Sequence, residues 1–437
     1  MSTSELGPPQ IATGILKDRS FWGVAITQFF GAFNDNLYKQ LMLLLAIPAI
    51  GADISEDTQG WATTVFSLPF VLLSSLAGYL SDKHSKSRII VVCKLAEIAI
   101  TLLAVCAFLS YAKLGDVGTW SVLVLMGVHS TFFGPGKYGI LPELFDKREL
   151  PRANGLILMS TFLAIILGVV TAGLLKDLLV VPNADGSPDY RNLWIGSLVC
   201  TGIAVVGSIT SFMIRYTPPA QPNAELSFAD LGLPAPIRTL LSQDRPLTLA
   251  IVVSSMFYVV AGIVMPTVNS LGKLQLKLES NTSISLLTGG LAIGIIVGAV
   301  LANIVLKKLS PSQQVTLGTW AMIASLVALG CWKVGGEHML GYWGALLGLV
   351  ATGLAAAVFI IPLQVFLQKR PPAELKGRMI GTMNFANFIG ILIAGPLYQV
   401  FLVVASKLEC PVSSVFWMLA LLLLPIAFLY RLPRGET

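Results

Sequence analysis

Apolar runs of about 20 residues follow one another along the chain from Phe21 onward, broken by short polar joints. The runs are apolar on all sides, without the alternating faces of a soluble helix or strand. A helix needs about 20 such residues to cross a bilayer. The pattern therefore predicts twelve membrane-spanning helices, at roughly 21–50, 61–81, 87–112, 119–143, 152–176, 193–215, 247–272, 283–307, 313–333, 340–368, 376–405 and 412–431. One buried soluble core cannot use so many segments of this length, so the expected class is an all-α polytopic membrane protein.

Composition strengthens this reading. Of 437 residues, 55% are hydrophobic and 12% charged, with a mean hydropathy of +0.77. Soluble domains carry about 25% charged residues. The first twenty residues are polar and lack the pattern of a cleaved leader, so the first span is expected to insert and stay. The net charge of +6 does not indicate nucleic acid, because the basic residues gather in short loops. With the N-terminus on the inside, 19 Lys and Arg fall in inside segments and 7 in outside ones; Lys39, Lys94 and Lys137 lie within spans. The positive-inside rule then places both termini in the cytosol. The five cysteines, Cys93, Cys106, Cys200, Cys331 and Cys410, have no metal-ligand or paired spacing and read as small apolar side chains.

The chain also repeats itself. "GPGKYGILPELFDKRELPRANGL" closes span 4 and opens span 5, and "IPLQVFLQKRPPAELKGRMIGTM" closes span 10 and opens span 11. Each contains a Pro, a charged loop, a Glu-Leu pair (Glu149-Leu150, Glu374-Leu375) and a Gly early in the next helix. Between the halves lies a Pro-rich inside segment with a short amphipathic piece near 236–243. The expected organisation is a six-helix half over 1–215, a cytosolic linker over 216–246 and a second six-helix half over 247–437. Two six-span halves about a central inside loop is the plan of major facilitator transporters.

The loop between spans 2 and 3 supplies a motif. "GYLSDKHSKSR", residues 78–88, resembles the G-x-x-x-D-K/R-x-x-x-x-R loop of that superfamily. Gly78 lets two helices approach closely. Asp82 is placed to face the positive N-terminal end of another helix, and Lys83 and Arg88 supply the basic side. The expected dock is the start of span 11, near Gly377 and Arg378. The matching loop of the second half has Asn303 where an acid would stand, so any lock is expected to be one-sided.

Charges within the spans are the candidate chemistry. In "GAFNDNLYKQ" Asp35 lies about 21 Å into the first span at 1.5 Å per residue. A charge at that depth costs at least about 2.5–3.5 kcal/mol unless it faces protein or water. Lys39 follows one turn later, and Asn34 and Asn36 flank the acid. Two readings stay open: Asp35 and Lys39 pair and are inert, or they line a shared cavity. Lys94 and Glu97 in span 3, Lys137 in span 4, Asn154, Asn269, Gln364, Asn384 and Asn387 favour a cavity. His129 reads as a structural residue. No metal set, nucleophilic triad or phosphate-binding glycine loop is present, so neither enzyme activity nor a cofactor is expected.

Two stretches are more specific. "QFFGAFNDNLYKQ" and "GPGKYGILPELFDKRELPRANGLILMSTFLAIILG" resemble the lysophospholipid transporter family of the major facilitator superfamily, whose transporter domain is in some bacteria fused to an acyltransferase. The resemblance is close in the first half and loose in the second. It implies a flippase that moves lysophospholipid inward across the bacterial inner membrane, with an acyltransferase acting on the delivered lipid. It implies that Asp35 meets the headgroup amine and that Lys137 is a site residue. Family members carry an Arg in span 7, whereas "MFYVVAGIVMPTVNS" has Met265 there. The headgroup phosphate then needs another partner, with Lys39 and Lys94 as candidates.

The expected substrate site is thus Asp35, Asn36, Lys39, Lys94, Glu97 and Lys137, in a monomer. The competing reading is an exporter or proton symporter of a small polar solute or drug, with Asp35 or Glu97 carrying the proton. A third, from another class, is a membrane subunit that only anchors or feeds an acyltransferase.

Overall fold

The computed structural model describes residues 14–146, 148–183, 188–223, 235–304, 306–372 and 375–432. Lys147, Glu374 and most of the Pro-rich linker lie outside the described residues, and only the backbone is described at Asn303, Lys376 and Gly377. Among the described residues, eleven long helices and a shorter last one run in two sets of six. The first set is α1 Arg19–Leu45, α2 Gln59–Lys83, α3 Lys86–Leu109, α4 Tyr111–Gly139, α5 Leu150–Leu179 and α6 Leu193–Ser211. The second is α7 Arg245–Ser270, α8 Asn281–Ile304, α9 Pro311–Leu329, α10 Gly341–Lys369, α11 Lys376–Lys407 and α12 Ser414–Leu429. Among the described residues, nine helical segments are long and apolar enough to cross a membrane, and α12 is a shorter apolar helix. A short helix, Ala235–Gln243, occupies the amphipathic part of the linker.

Local signals set the helix starts. Asp18 caps α1 by accepting from the Ser20 amide at 2.6 Å, and Asp244 caps α7 by accepting from the Leu247 amide at 3.1 Å. Each cap also holds the end of its own half together. Asp18 pairs with Arg215, just past α6, at 3.0 Å, and Asp244 pairs with Arg370 at the end of α10 at 2.7 Å. Span 4 starts earlier than the hydropathy suggests. Gly115, with φ of 53°, kinks the chain and adds the turn from Tyr111 to the front of α4.

Lipid is as apolar as leucine, so helices in a bilayer gain little by hiding side chains from it and pack through small residues. Large apolar side chains such as Leu72, Leu347 and Trp343 accordingly remain on the outside of the bundle. Between the halves, α2 packs on α11 and α5 on α8. Gly60 and Gly395 meet there backbone to backbone: a Cβ on Gly60 would lie 2.5 Å from the Gly395 carbonyl oxygen.

The joint between the halves is polar at one end. The start of α1, the end of α6 and the start of α7 mark one face, the linker face. Every hydrogen bond between the halves that joins two described residues lies toward the opposite face. At its centre is Asp57, just before α2 and 0% exposed. Its carboxylate accepts from the Gln59 amide at 2.9 Å, the Gln59 side chain at 2.9 Å, the Tyr398 hydroxyl at 2.9 Å and the Ser270 hydroxyl. Asn269 donates to Gln59 at 2.9 Å, and Gln40 donates to Asn269 at 2.9 Å. A second clasp lies at the end of α5. Asp177 accepts from the Asn281 and Thr282 amides, the first two of α8, at 2.7 and 2.8 Å. A carboxylate on the positive end of a helix is favourable. Outside these clasps, Asp53 accepts from Ser406 at 2.8 Å, and bonds from Ser55 and Ser406 hold its carboxyl below the usual carboxylate range.

Side chains added at Gly78 of α2, Gly134 of α4, Gly155 of α5 or Gly381 of α11 would meet nothing within 4 Å among the described residues. The polar contacts between the halves, among the described residues, thus gather at one end.

This arrangement makes a direct prediction. A hydrogen bond to a charged group contributes about 1.5–3 kcal/mol, so removing Asp57 should shift the open-to-closed ratio at the clasped face about tenfold or more. Spin labels at the exposed Lys113 and Lys333, in a background without the native cysteines, should show a longer distance population in Asp57→Ala. An unchanged distance distribution would mean that the clasp does not set the balance.

Candidate functional site

Asp35 stands in the middle of α1, where a carboxylate must find protein or water. The Ser130 hydroxyl of α4 donates to its Oδ2 at 2.7 Å. Its Oδ1 is buried without a hydrogen-bond partner, although the residue as a whole is half-buried. Lys39 is one turn along α1, but the two do not form an ion pair in this structure. The Lys39 ammonium rests over the Phe66 ring of α2, 5.2 Å from its centre. A cation over an aromatic face is favourable. Lys137 lies two turns beyond Ser130 on α4, within electrostatic reach of Asp35. Asp35 is therefore flanked by two half-buried lysines. The Asn36 side chain turns back to donate to the Ala32 carbonyl at 2.8 Å and faces Gly168 of α5.

Lys94 and Glu97 are placed differently from Asp35 and Lys39. Both side chains are 0% exposed and form an ion pair enclosed within the first half. In this conformation neither presents a surface to a headgroup. Glu97 also accepts from Asn34 at 2.8 Å, and the His129 Nε2 lies 3.7 Å from it. Lys94 fits because two positions beside it lack side chains. A Cβ on Gly31 would lie 3.5 Å from its Nζ, and one on Gly207 would lie 2.9 Å away. The i,i+3 spacing showed that the two could pair; it could not show which side of α3 faces the neighbouring helices. Asn34 and Ser130, which tie this pair and Asp35 into one region, were not distinguishable from other polar span residues.

The remaining polar span residues divide by location. Asn269 belongs to the clasp described above. Gln364 donates to the Tyr258 hydroxyl at 3.4 Å, and Asn387 accepts from Ser254 at 2.9 Å, each within the second half. Asn154 donates to the Leu150 carbonyl on its own helix at 3.0 Å. Met265 packs against the apolar core of the first half.

In the 78–88 loop, Asp82 is 54% exposed and sits 3.9 Å from Lys86. Its carbonyl accepts from the Gln221 amide at 2.8 Å. Lys86, which the motif does not include, is buried and pairs with Glu143 at 2.5 Å. Lys83 donates to the Tyr79 hydroxyl at 2.7 Å, and Arg88 stacks on the Tyr216 ring at 5.1 Å. Arg378 is exposed. The motif thus meets its own half through Lys86 and Tyr79 and the start of the linker through Tyr216 and Gln221.

The Major Facilitator Superfamily model matches residues 24–396. Similar curated proteins include the "Lysophospholipid transporter LplT" of Photorhabdus laumondii, 29% identical over 88% of this chain and 89% of that one. The protein of the same name from Yersinia pestis is 27% identical over 92% and 90%. Among solved structures, the nucleoside transporter NupG superposes with a TM-score of 0.70 at 13% identity, covering 93% of this chain and 98% of that one. A POT family transporter does so with a TM-score of 0.67 at 14% identity, covering 94% and 96%. With two sets of six helices joined across a polar clasp, and a family match over most of its length, this chain belongs to the Major Facilitator Superfamily.

Proposed function

We propose that this protein moves lysophospholipids across the bacterial inner membrane by alternating access, with the linker face and both termini in the cytosol. The observation that carries the reading is Asp35: a deep carboxylate with one oxygen unpartnered, set between Lys39 and Lys137. A carboxylate with ammonium groups within electrostatic reach suits a headgroup that carries both an ammonium and a phosphate. Similarity to lysophospholipid transporters over nine-tenths of the chain supports the same substrate class. The acyl chain lies along the apolar surface between the halves, reached sideways from lipid. Lys94 and Glu97 then act behind the site, holding Asn34 and α1 in place. The delivered lipid is a substrate for an acyltransferase.

In the transport cycle the linker face must also close. We place Asp82 in that step, docking at the start of α11 near Gly377 and Arg378, where the helix dipole is positive. Asp82→Asn should raise cytosolic labelling of cavity cysteines while substrate binding persists. Equal labelling in the variant and wild type would remove Asp82 from the gate.

Asp35→Asn should cut uptake of labelled lysophosphatidylethanolamine in spheroplasts at least about tenfold, the loss of one charge-assisted bond, with thermal stability close to wild type. Lysophosphatidylglycerol, which has no amine, should lose less. Wild-type transport by the double variant Asp35→Leu with Lys39→Met would show that the charges are structural and sink the reading.

The buried pair should behave differently. Removing one partner of a buried ion pair costs about 3–5 kcal/mol, whereas replacing both with apolar groups is often neutral. Lys94→Met should therefore lower the melting temperature sharply, and adding Glu97→Leu should restore most of it. A double variant as unstable as the single one would contradict a purely supporting role.

A further inference from the structure

His129 is a buried imidazole that the site described above does not use. It lies on α4 with its ring stacked on Phe133, the ring centres 5.9 Å apart. Both ring nitrogens are buried, and neither has a hydrogen-bond partner among the described residues. A neutral imidazole carries one N–H and one lone pair, and both are costly to bury unmatched. A proton added to the ring has an acceptor at hand. The Nε2 stands 3.7 Å from the Glu97 carboxylate, a small movement beyond hydrogen-bond distance.

Neighbours in sequence connect this ring to the headgroup site. On α1, Asn34 donates to Glu97 at 2.8 Å, and the next residue is Asp35. On α4, His129 faces Glu97, and the next residue, Ser130, donates to Asp35 at 2.7 Å. Two adjacent residues on each helix thus join α1 to α4 twice, directly through Asp35 and Ser130, and behind them through Glu97. His129 and Asp35 are also within electrostatic reach of each other. The other titratable groups around the ring are few. From α3 come Lys94, paired with Glu97, and the Cys93 thiol. From α1 come Lys39, one turn beyond Asp35, and Tyr38, which donates to the Thr119 carbonyl at 3.1 Å. On α4 itself Lys137 lies two turns away. The facing stretch of α2, whose Phe66 carbonyl would lie 2.5 Å from a Cβ on Gly127, has no titratable group between Gln59 and Gly78.

We propose that His129 is a proton-binding positioning residue of the lipid site, whose proton competes with the headgroup amine for the negative charge of Asp35. Lys94 already balances Glu97, so a charge on His129 acts on Asp35 instead. An amine brought by the lipid supplies the same charge from the other side of Asp35, and the ring then gives its proton to water. Imidazole suits this task because its ordinary titration range spans neutral pH. The inference rests on the lipid-transport reading and deepens it. Proton concentration sets how strongly amine-bearing headgroups are held, and headgroups without an amine escape the competition.

The ring is read directly by NMR of the full chain in detergent with nitrogen-labelled histidine, the His129 signal being the one lost in His129→Gln. It should titrate between about pH 5 and 8. In Asp35→Asn its midpoint should fall by about one pH unit, because the carboxylate that favours the charged ring is gone. A ring that does not titrate in that range, or a midpoint that Asp35→Asn leaves in place, would overturn the proton site whether or not any lipid binds. Linkage between two sites is reciprocal. Saturating lysophosphatidylethanolamine should therefore lower the wild-type midpoint, and its affinity should fall about threefold to tenfold from about pH 8 to about pH 6. Lysophosphatidylglycerol, without an amine, should not lower the midpoint. In His129→Gln the affinity for lysophosphatidylethanolamine should stay level over the same range. Equal wild-type affinity at both pH values would overturn the competition while leaving Asp35 as the partner of the amine. Failure of lysophosphatidylethanolamine to bind at either pH would remove the lipid reading, and the proton site would then stand or fall on the Asp35→Asn titration.

Discussion

A charge inside a bilayer must be solvated by the protein that carries it, and the placement of nearly every polar group here follows from that constraint. Glu97 is answered by Lys94 and Asn34. Asp57 is answered by hydroxyls and amides from both halves, without a basic partner among the described residues. Asp177 is answered by the start of α8. Asp35 departs from the pattern. It has Ser130 on one oxygen and an open position on the other, in a residue that is only half-buried. The same cost that closes the other groups off makes this gap informative.

The clasps also divide the molecule by direction. One device, a carboxylate set on the positive end of a facing helix, was expected of Asp82 at the linker face. The structure uses it at the opposite face, through Asp177, while Asp82 stays with Lys86 in its own half. These are complementary rather than conflicting. The two carboxylates stand at opposite faces, Asp177 engaged with the facing half and Asp82 exposed beside Lys86.

The fold was legible because its signals are long. Twelve apolar runs, the basic bias of the joints and the repeat about "KYGILPEL" each extend over tens of residues, and no tertiary detail is needed to read them. The site was legible only in part. Asp35 declared itself by cost alone, since no apolar helix keeps an acid there without a reason. Lys94 looked equivalent, yet lies buried against Gly31 and Gly207, because helix rotation about its own axis is set by neighbours and lipid-like sequences carry almost no amphipathic stripe to report it. Asp57 and Tyr398 form a joint across the whole chain length. Nothing in either local sequence marks a partner so far away. Asp177 escaped for another reason: "LLKDLL" reads as an ordinary helix end until α8 is seen beginning against it.

The contact of Gly60 with Gly395 has a consequence for how such a protein changes over generations. Each backbone lies against the other's carbonyl, so even if the nearby Thr64, Gln399 and Tyr398 side chains moved, a Cβ would still meet backbone that cannot yield by changing rotamer. An alanine there acts as a wedge. It leaves the chemistry of every charged group untouched and still biases which side of the membrane the protein faces. A transporter whose closure rests on bare backbone can therefore be retuned, or lost, by one methyl group far from its substrate, and natural variation in its directionality is to be sought at such glycines before it is sought among the charges.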